Sequence, residues 1–162
     1  MRQLSSGLAA AFLAVTVSGT AFAETIKVEA VMHPTQTIKY DFKDRPHFVL
    51  FVQREGKSEG SGRLAGAAVT EFGMHDIRPG NDGDPRGYLV FRAPNGDEAY
   101  VKWRVRAVFF NKDGGGKRIV DHGYWEISGG TGQFKDARGL GTLEIKGVNK
   151  TDRKFILEGE LQ

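Results

Sequence analysis

The strongest constraint on the fold is an alternation of apolar and polar residues that runs through the segment 98–127. Val101, Trp103 and Val105 alternate there with Lys102 and Arg104. A period of two places successive side chains on opposite faces of a β-strand. Shorter alternating runs, separated by glycine-rich turns, fill most of the chain after residue 23, where neither heptads nor an amphipathic helix is found. The pattern therefore predicts an all-β domain.

Eight strands are predicted, at residues 25–31, 47–53, 65–77, 87–92, 98–110, 118–127, 139–148 and 153–161. Residues 54–60 are expected to form a polar turn and residues 78–86 an exposed loop, because both are rich in glycine and charge. Eight strands with short connections favour an antiparallel β-barrel, since closure removes exposed strand edges. A β-sandwich is the alternative.

The first 23 residues have the features of a secretory signal peptide. Arg2 is followed by an apolar stretch at 8–17, and Ala21-Phe22-Ala23 supplies the small-x-small cleavage pattern. We expect cleavage after Ala23, a single domain at 24–162 and a secreted or periplasmic location. No later apolar run approaches the ~20 residues of a membrane-spanning helix, so no membrane span is predicted after cleavage.

Composition and charge exclude several classes of function. The 162 residues include 23 Lys+Arg, 20 Asp+Glu and no cysteine, with a net charge of +3. This small excess does not indicate a nucleic-acid partner, and the absence of cysteine excludes disulfides, thiolate nucleophiles and Cys-ligated zinc. The four histidines form neither H-x-H nor H-E-x-x-H, so no metal and no cofactor is predicted.

A specific register is predicted for the hairpin formed by 98–110 and 118–127. Placing Phe110 opposite Arg118 brings Trp103 opposite Trp125 on an apolar face, and a one-residue slip would mix the two faces. The other face is polar and supplies the candidate ligand-binding residues: Lys102, Arg104, Arg106, His122, Tyr124 and Glu126.

The direction of these two faces stays open at this stage. Burying long cations without partners is unfavourable, which favours an aromatic face in the core and a polar face in water. In the alternative, the polar face lines the lumen and surrounds an anionic or phenolic ligand. Acid–base chemistry through Asp121, His122, Tyr124 or Glu126 would require these groups to converge in a cavity.

The glycine-rich stretch 129–139 has four possible interpretations, and two of them fail on its sequence. It lacks the Gly-Lys-Ser/Thr ending of a phosphate-binding loop and the G-x-S-x-G of a nucleophile elbow. A nest of backbone amides at 129–132 that holds an anion is one alternative. A tight connection is the other, and residues 60–67 favour it, because they repeat the pattern G-(S/T)-G-x-(L/F)-x-x-A. Leu64 and Phe134 would then plug the barrel end.

The same stretch, "GGTGQFKDARG", resembles a signature of plant dirigent proteins, with related forms in allene oxide cyclase barrels and their bacterial relatives. The matching residues are Gly129, Gly130, Thr131, Gly132, Phe134, Ala137, Arg138 and Gly139. The resemblance implies a calycin-like, eight-stranded antiparallel barrel, commonly trimeric, with a hydrophobic cavity. The acidic and basic functional residues of that family match no motif here, so none is assigned by resemblance.

Three functions follow as expectations. The first is a secreted or periplasmic barrel that binds a small, partly apolar or phenolic ligand without catalysis. The second is a cyclase- or dirigent-type enzyme that orients a reactive intermediate. The third is a structural or interaction protein of the envelope, without a ligand, that assembles with itself, as a dimer or trimer, or with an envelope partner.

Overall fold

The computed structural model describes residues 23–162. The predicted signal peptide lies outside the described residues, apart from Ala23. The described chain forms nine strands in antiparallel order: β1 (Glu24–Asp41), β2 (Phe48–Ser61), β3 (Ala68–Arg78), β4 (Asp82–Gly83), β5 (Arg86–Arg92), β6 (Glu98–Asn111), β7 (Lys117–Gly130), β8 (Gly139–Gly147) and β9 (Arg153–Leu161). Within these residues, no helix has the length and apolar character needed to span a bilayer.

Eight of these strands close into the predicted barrel. Neighbouring strands pair in the order β2, β1, β9, β8, β7, β6, β5 and β3, and the pairing of β3 with β2 completes the circle. The additional strand, β4, lies within the predicted loop 78–86 and has two residues. Gly83 of β4 pairs with Ile77 on one side and with Ala107 on the other. The loop is therefore tied down between β3 and β6.

Two segments extend further as strands than their sequence indicates. The turn predicted at 54–60 is wrong, because β2 continues through it and pairs with β3 as far as residue 57. One face of this part of the strand is exposed to solvent, which explains its polar residues. Arg54 and Ser58 lie on the other face and are buried. Strand β1 also runs on to Asp41, with a register shift between Pro34 and Gln36, and pairs with β9 only as far as Met32.

The predicted hairpin register is confirmed. Phe110 pairs with Arg118, and Trp103 pairs with Trp125. The two tryptophans are 1% and 0% exposed, so the aromatic face points into the barrel.

The alternative in which the polar face lines the lumen is wrong. All six residues of that face are exposed on the outer surface: Lys102, Arg104, Arg106, His122, Tyr124 and Glu126. The reason is that Trp103 and Trp125 occupy the inner positions of the same two strands, where their apolar area leaves water.

The barrel is closed at the end where β2 connects to β3, β5 to β6 and β7 to β8. Leu64 and Phe134, in the two glycine-rich connections, are 0% and 1% exposed and belong to the core, as predicted. Gly62 and Gly132 have φ angles of +90° and +49°, which a residue with a Cβ rarely adopts. The backbone of each connection therefore turns back and places an apolar side chain in the barrel end.

At the stretch considered as a possible anion nest, the structure places the carboxylate of Asp97. The Gln133 backbone N–H donates to a carboxylate oxygen of Asp97 at 3.0 Å, and the Glu98 N–H donates to Thr131 Oγ1 at 2.9 Å. A Cβ on Gly132 would overlap the Asp97 carboxylate. The stretch 129–139 is thus a connection between strands whose amide environment already holds a carboxylate of the same chain.

A leucine pair tests the plug. Leu64→Ala removes a fully buried side chain and should lower the free energy of unfolding by about 2–5 kcal/mol. Leu140→Ala is the matched control, because Leu140 is 71% exposed, and it should change stability by less than about 0.5 kcal/mol. Urea denaturation of both variants measures the difference. Equal losses would contradict the assignment of residues 62–67 as a plug.

Candidate functional site

A group of ionisable side chains lies inside the barrel, towards the end opposite the plugs. Strand alternation turns Arg54 of β2, Glu71 and His75 of β3 and Asp121 of β7 inwards, and each is less than one-tenth exposed. Arg153, at the start of β9, is half-buried and adds a second guanidinium. We call these five residues the lumen cluster. Charged residues are almost never buried in this way unless they are paired or functional.

The Glu71 carboxylate is the centre of the lumen cluster. Arg54 Nη1 donates a hydrogen bond to Glu71 Oε2 at 2.6 Å. The other carboxylate oxygen, Oε1, lies 3.3 Å from Nε2 of His75. Glu71 is therefore held from both sides, and the pair with Arg54 compensates part of the desolvation of both charges.

A glycine makes room for this arrangement. Gly73 lies between Glu71 and His75 on β3 and also faces inwards. A Cβ at Gly73 would overlap Oε1 of Glu71 and lie 2.9 Å from Nε2 of His75. Any larger residue at this position would push the carboxylate and the imidazole apart.

Asp121 differs from the other carboxylate because no cation bonds to it directly. Burial raises its pKa from 3.8 to about 6, although the charges of His75, Arg153 and Arg54 act in the opposite direction. Burial, followed by the charge of Arg54, lowers the pKa of the Arg153 guanidinium. A carboxyl group with a pKa near 6 exchanges its proton close to neutral pH, as a general acid or base requires.

Three buried polar atoms in this region have no hydrogen-bond partner among the described residues. They are the N–H donors Arg54 Nε and Trp103 Nε1 and the acceptor Asp121 Oδ1. Leaving such a group unsatisfied costs about 1–3 kcal/mol, so most proteins provide a partner. Two donors and one acceptor are thus available to a molecule that enters the lumen.

Aromatic residues surround the polar groups. The Trp103 ring lies 6.0 Å from the His75 ring and 5.8 Å, edge to face, from Phe155. Beyond them, the lumen is filled by core side chains as far as the plugs. The opposite end of the barrel is formed by the connections at 42–47, 79–85, 112–116 and 148–152.

The sequence interpretation missed most of this site. Arg54 lies in the segment 54–60 that is predicted as a turn, and neither Glu71 nor His75 is among the predicted site residues. Of this site, only Asp121 is a sequence candidate for acid–base chemistry. A usable signal is present, because Glu71 and Asp121 are each the single carboxylate on the inward face of a strand. The other inward residues are apolar or glycine, except for His75 in β3. It identifies a buried charge but does not show that five such charges meet.

On the outside, four of the six predicted residues form ion pairs with neighbouring side chains. Arg104 donates twice to Asp84 at 2.9 and 2.8 Å, and Arg106 is bonded to Asp82. Lys102 is 3.7 Å from its cross-strand partner Glu126. His122 and Tyr124 project from the neighbouring strand. A ligand-binding role for these residues stays a prediction. Among residues 23–162 no group of three histidines or carboxylates is placed to hold a metal ion.

Comparison with solved structures identifies similar barrels. The pterocarpan synthase dirigent protein GePTS1 aligns with a TM-score of 0.50 and 15% identity over 93% of this chain and 95% of that chain. A second pterocarpan synthase dirigent protein, PsPTS1, aligns with a TM-score of 0.49 and 13% identity over 85% and 94% of the two chains. A pyocyanin demethylase aligns with a TM-score of 0.46 and 17% identity over 84% and 99%.

The likeness to GePTS1 shows that the barrel is dirigent-like in fold, as the stretch 129–139 predicted. It shows the fold alone, because identity is 15%. No family model matches the sequence, and no curated protein matches it.

The pKa of Asp121 leads to a prediction about stability. Because the folded state binds this proton more tightly than the unfolded state, the free energy of unfolding falls as pH rises from about 4 to about 6 and stays reduced above that. Asp121→Asn removes this ionisation. The free energy of unfolding of the variant, measured relative to that of the wild type, should therefore rise by about 1–3 kcal/mol between pH 4 and pH 7.5.

Urea denaturation at the two pH values measures this change. Asp136→Asn is the matched control, because it makes the same change at an exposed position. It should shift stability equally at both pH values. A gap between Asp121→Asn and the wild type that does not vary with pH would contradict the burial of an ionising Asp121.

The central ion pair leads to a second prediction. Glu71→Gln leaves the buried Arg54 without a compensating charge and should destabilise the protein by about 3–5 kcal/mol. The double variant Arg54→Leu/Glu71→Leu removes both charges and should recover part of that loss. Thermal and urea denaturation of the single and double variants measure these changes. A double variant that is less stable than Glu71→Gln would show that Glu71 does not compensate the buried charge of Arg54.

Proposed function

We propose that the protein binds a small, partly apolar ligand with a phenolic or similar hydroxyl group inside the lumen, towards the end opposite the plugs. The observation that carries the proposal is the set of three unpartnered buried atoms on Arg54, Trp103 and Asp121. The likeness in fold to a dirigent barrel is consistent with a ligand-binding barrel. The predicted signal peptide supports a ligand met in the periplasm or outside the cell.

Each of the three atoms has a role in this proposal. Asp121 Oδ1 accepts a hydrogen bond from the hydroxyl of the ligand, and the N–H groups of Arg54 and Trp103 donate to its oxygen. The rings of Trp103 and Phe155 contact the apolar part. Ligand sites commonly combine an apolar lining with a few placed polar groups in this manner.

The second candidate is an enzyme of the cyclase or dirigent type. The observation in its favour is a carboxyl group with a pKa of about 6 in the same buried site as the Glu71–His75 pair. Asp121 would move a proton to or from a bound intermediate, while the remaining groups hold the intermediate in one orientation. A pH profile of turnover with an inflection near 6 that Asp121→Asn abolishes would support this function over simple binding.

Self-assembly remains a separate prediction. A dimer or trimer is expected, the trimer from the resemblance to dirigent barrels, and several large apolar side chains are exposed. Sedimentation equilibrium measures the mass in solution. A monomer across the concentration range would contradict the structural, ligand-free function, which depends on assembly.

The ligand proposal is tested with a matched set of small molecules. We expect 4-propylphenol to raise the melting temperature, with a stabilisation of about 2.7 kcal/mol at a hundredfold excess over Kd. The ether 4-propylanisole should stabilise much less, because it has no hydroxyl proton for Asp121. Trp103→Phe, which keeps an aromatic ring but removes the N–H, should weaken binding of the phenol about tenfold.

Decanoate is included in the same assay to cover aliphatic acids. Asp121→Asn should bring the phenol and the ether closer together in affinity. Stabilisation by none of these compounds, or equal stabilisation by phenol and ether, would overturn the proposed function.

A further inference from the structure

The outer wall of the barrel carries a groove that is separate from the lumen. It crosses β1, β2, β3, β5, β6 and β7 and has a volume of about 770 Å³. Small-molecule sites usually fall between about 300 and 1,000 Å³. The groove is therefore large enough for a ligand of two or three fused rings.

Strand register builds the two walls of the groove. One wall is a row of outward side chains that are direct neighbours across four strand pairings: Phe51, Met74, Arg86, Arg104 and Tyr124. The second wall is the adjacent outward row. It contains Phe72 of β3, Tyr88 of β5 and Lys102 of β6, which are also successive neighbours.

The floor between the walls is close-packed backbone. Gly73 and Gly87 are paired there, and a Cβ on Gly87 would lie 2.9 Å from Cα of Gly73. Both glycines stand at positions that face the lumen, so this part of the floor consists of backbone alone. The walls therefore stand above a flat strip of peptide groups.

The walls expose large aromatic surfaces to water. Phe51, Phe72 and Tyr124 are each 52% exposed, and Tyr88 is 45% exposed. Four half-exposed aromatic side chains around one concavity form an apolar patch of the kind that marks interaction sites. Their rings offer stacking and edge contacts to a flat aromatic molecule.

The same walls carry an excess of positive charge. Arg104 and Arg86 share one carboxylate, that of Asp84, at 2.8 and 3.3 Å. Lys102 has only the loose contact with Glu126 at 3.7 Å. Three cations thus face two carboxylates, and Lys102 is the cation most available to a ligand.

We propose that this outer groove binds a planar aromatic anion. The rings lie against Phe72, Tyr88 and the opposite wall, and the acidic group pairs with Lys102 and the outer edge of Arg104. A charge-assisted contact of this kind is roughly twice as strong as a neutral hydrogen bond. Three of the residues predicted from the sequence, Lys102, Arg104 and Tyr124, take part, but from the outer wall.

A second copy of the chain fits this groove less well. The centres of protein interfaces are depleted of lysine, and covering the groove with an apolar partner surface would bury Lys102 without a compensating charge. An anionic ligand supplies that charge and also fills a concave volume. The geometry therefore favours a small acid over self-association at this place.

The probe for the test is 1-anilinonaphthalene-8-sulfonate, a fluorescent aromatic anion. We expect saturable, one-to-one binding to the mature chain, with competition by 2-naphthoate and about tenfold weaker competition by the neutral 2-naphthylmethanol. Lys102→Gln and Tyr88→Ala should each weaken binding about tenfold or more. Both side chains are on the surface, so the variants should keep the wild-type melting temperature.

Controls separate the groove from the lumen and from the rest of the surface. Lys146→Gln and Leu140→Ala change exposed residues elsewhere on the barrel and should leave the affinity for the probe unchanged, as should Asp121→Asn in the lumen. Unchanged affinity in both groove variants, or equal competition by the acid and the alcohol, would overturn the proposal. So would sedimentation showing that the wild type is an oligomer that dissociates in the groove variants, because the groove would then be an interface between copies.

Discussion

Closure of the sheet by the pairing of β3 with β2 is the constraint on which the rest of this structure depends. Without it, the eight strands would form an open ribbon with unpaired edges. Closure turns the two faces of every strand into an inside and an outside. The apolar residues of each alternating run must then lie on one side of the wall. Because Trp103 and Trp125 lie inside, Lys102 and Arg104, which flank Trp103 on β6, lie outside.

The inside is not uniform along the barrel axis. At the plugged end it is a packed apolar core with Leu64 and Phe134 at its base. Towards the other end, Glu71, Arg54 and Asp121 replace aliphatic residues at inward positions. Packing explains the first region completely. It does not explain the second, because buried charges with unpartnered atoms reduce stability, and such sites are commonly kept for binding or chemistry.

The outer surface of the barrel also has two different regions. Most charged residues there form exposed ion pairs, which contribute little to stability. The groove that runs from β1 to β7 is different, because its walls contain both exposed aromatic rings and cations. Lumen and groove lie on opposite sides of the same wall, with inward Trp103 between outward Lys102 and Arg104. A substitution at one of these positions can therefore be assigned to one site without disturbing the other.

The sequence by itself determined the strand class, the barrel, the two plugs and the register of the β6–β7 hairpin, because period-two alternation and glycine turns are local signals. It also favoured an aromatic face in the core and a polar face in water for this hairpin, because burying lysine and arginine carries a desolvation penalty. Only the tertiary structure decided that β2 runs through residues 54–60, since the inward Arg54 is stable there only opposite Glu71. The sequence likewise did not show that Arg54, Glu71, His75, Asp121 and Arg153 meet, because β7 and β9, which supply the last two, are distant along the chain from β2 and β3. Closure of the barrel is the physical event that brings them together.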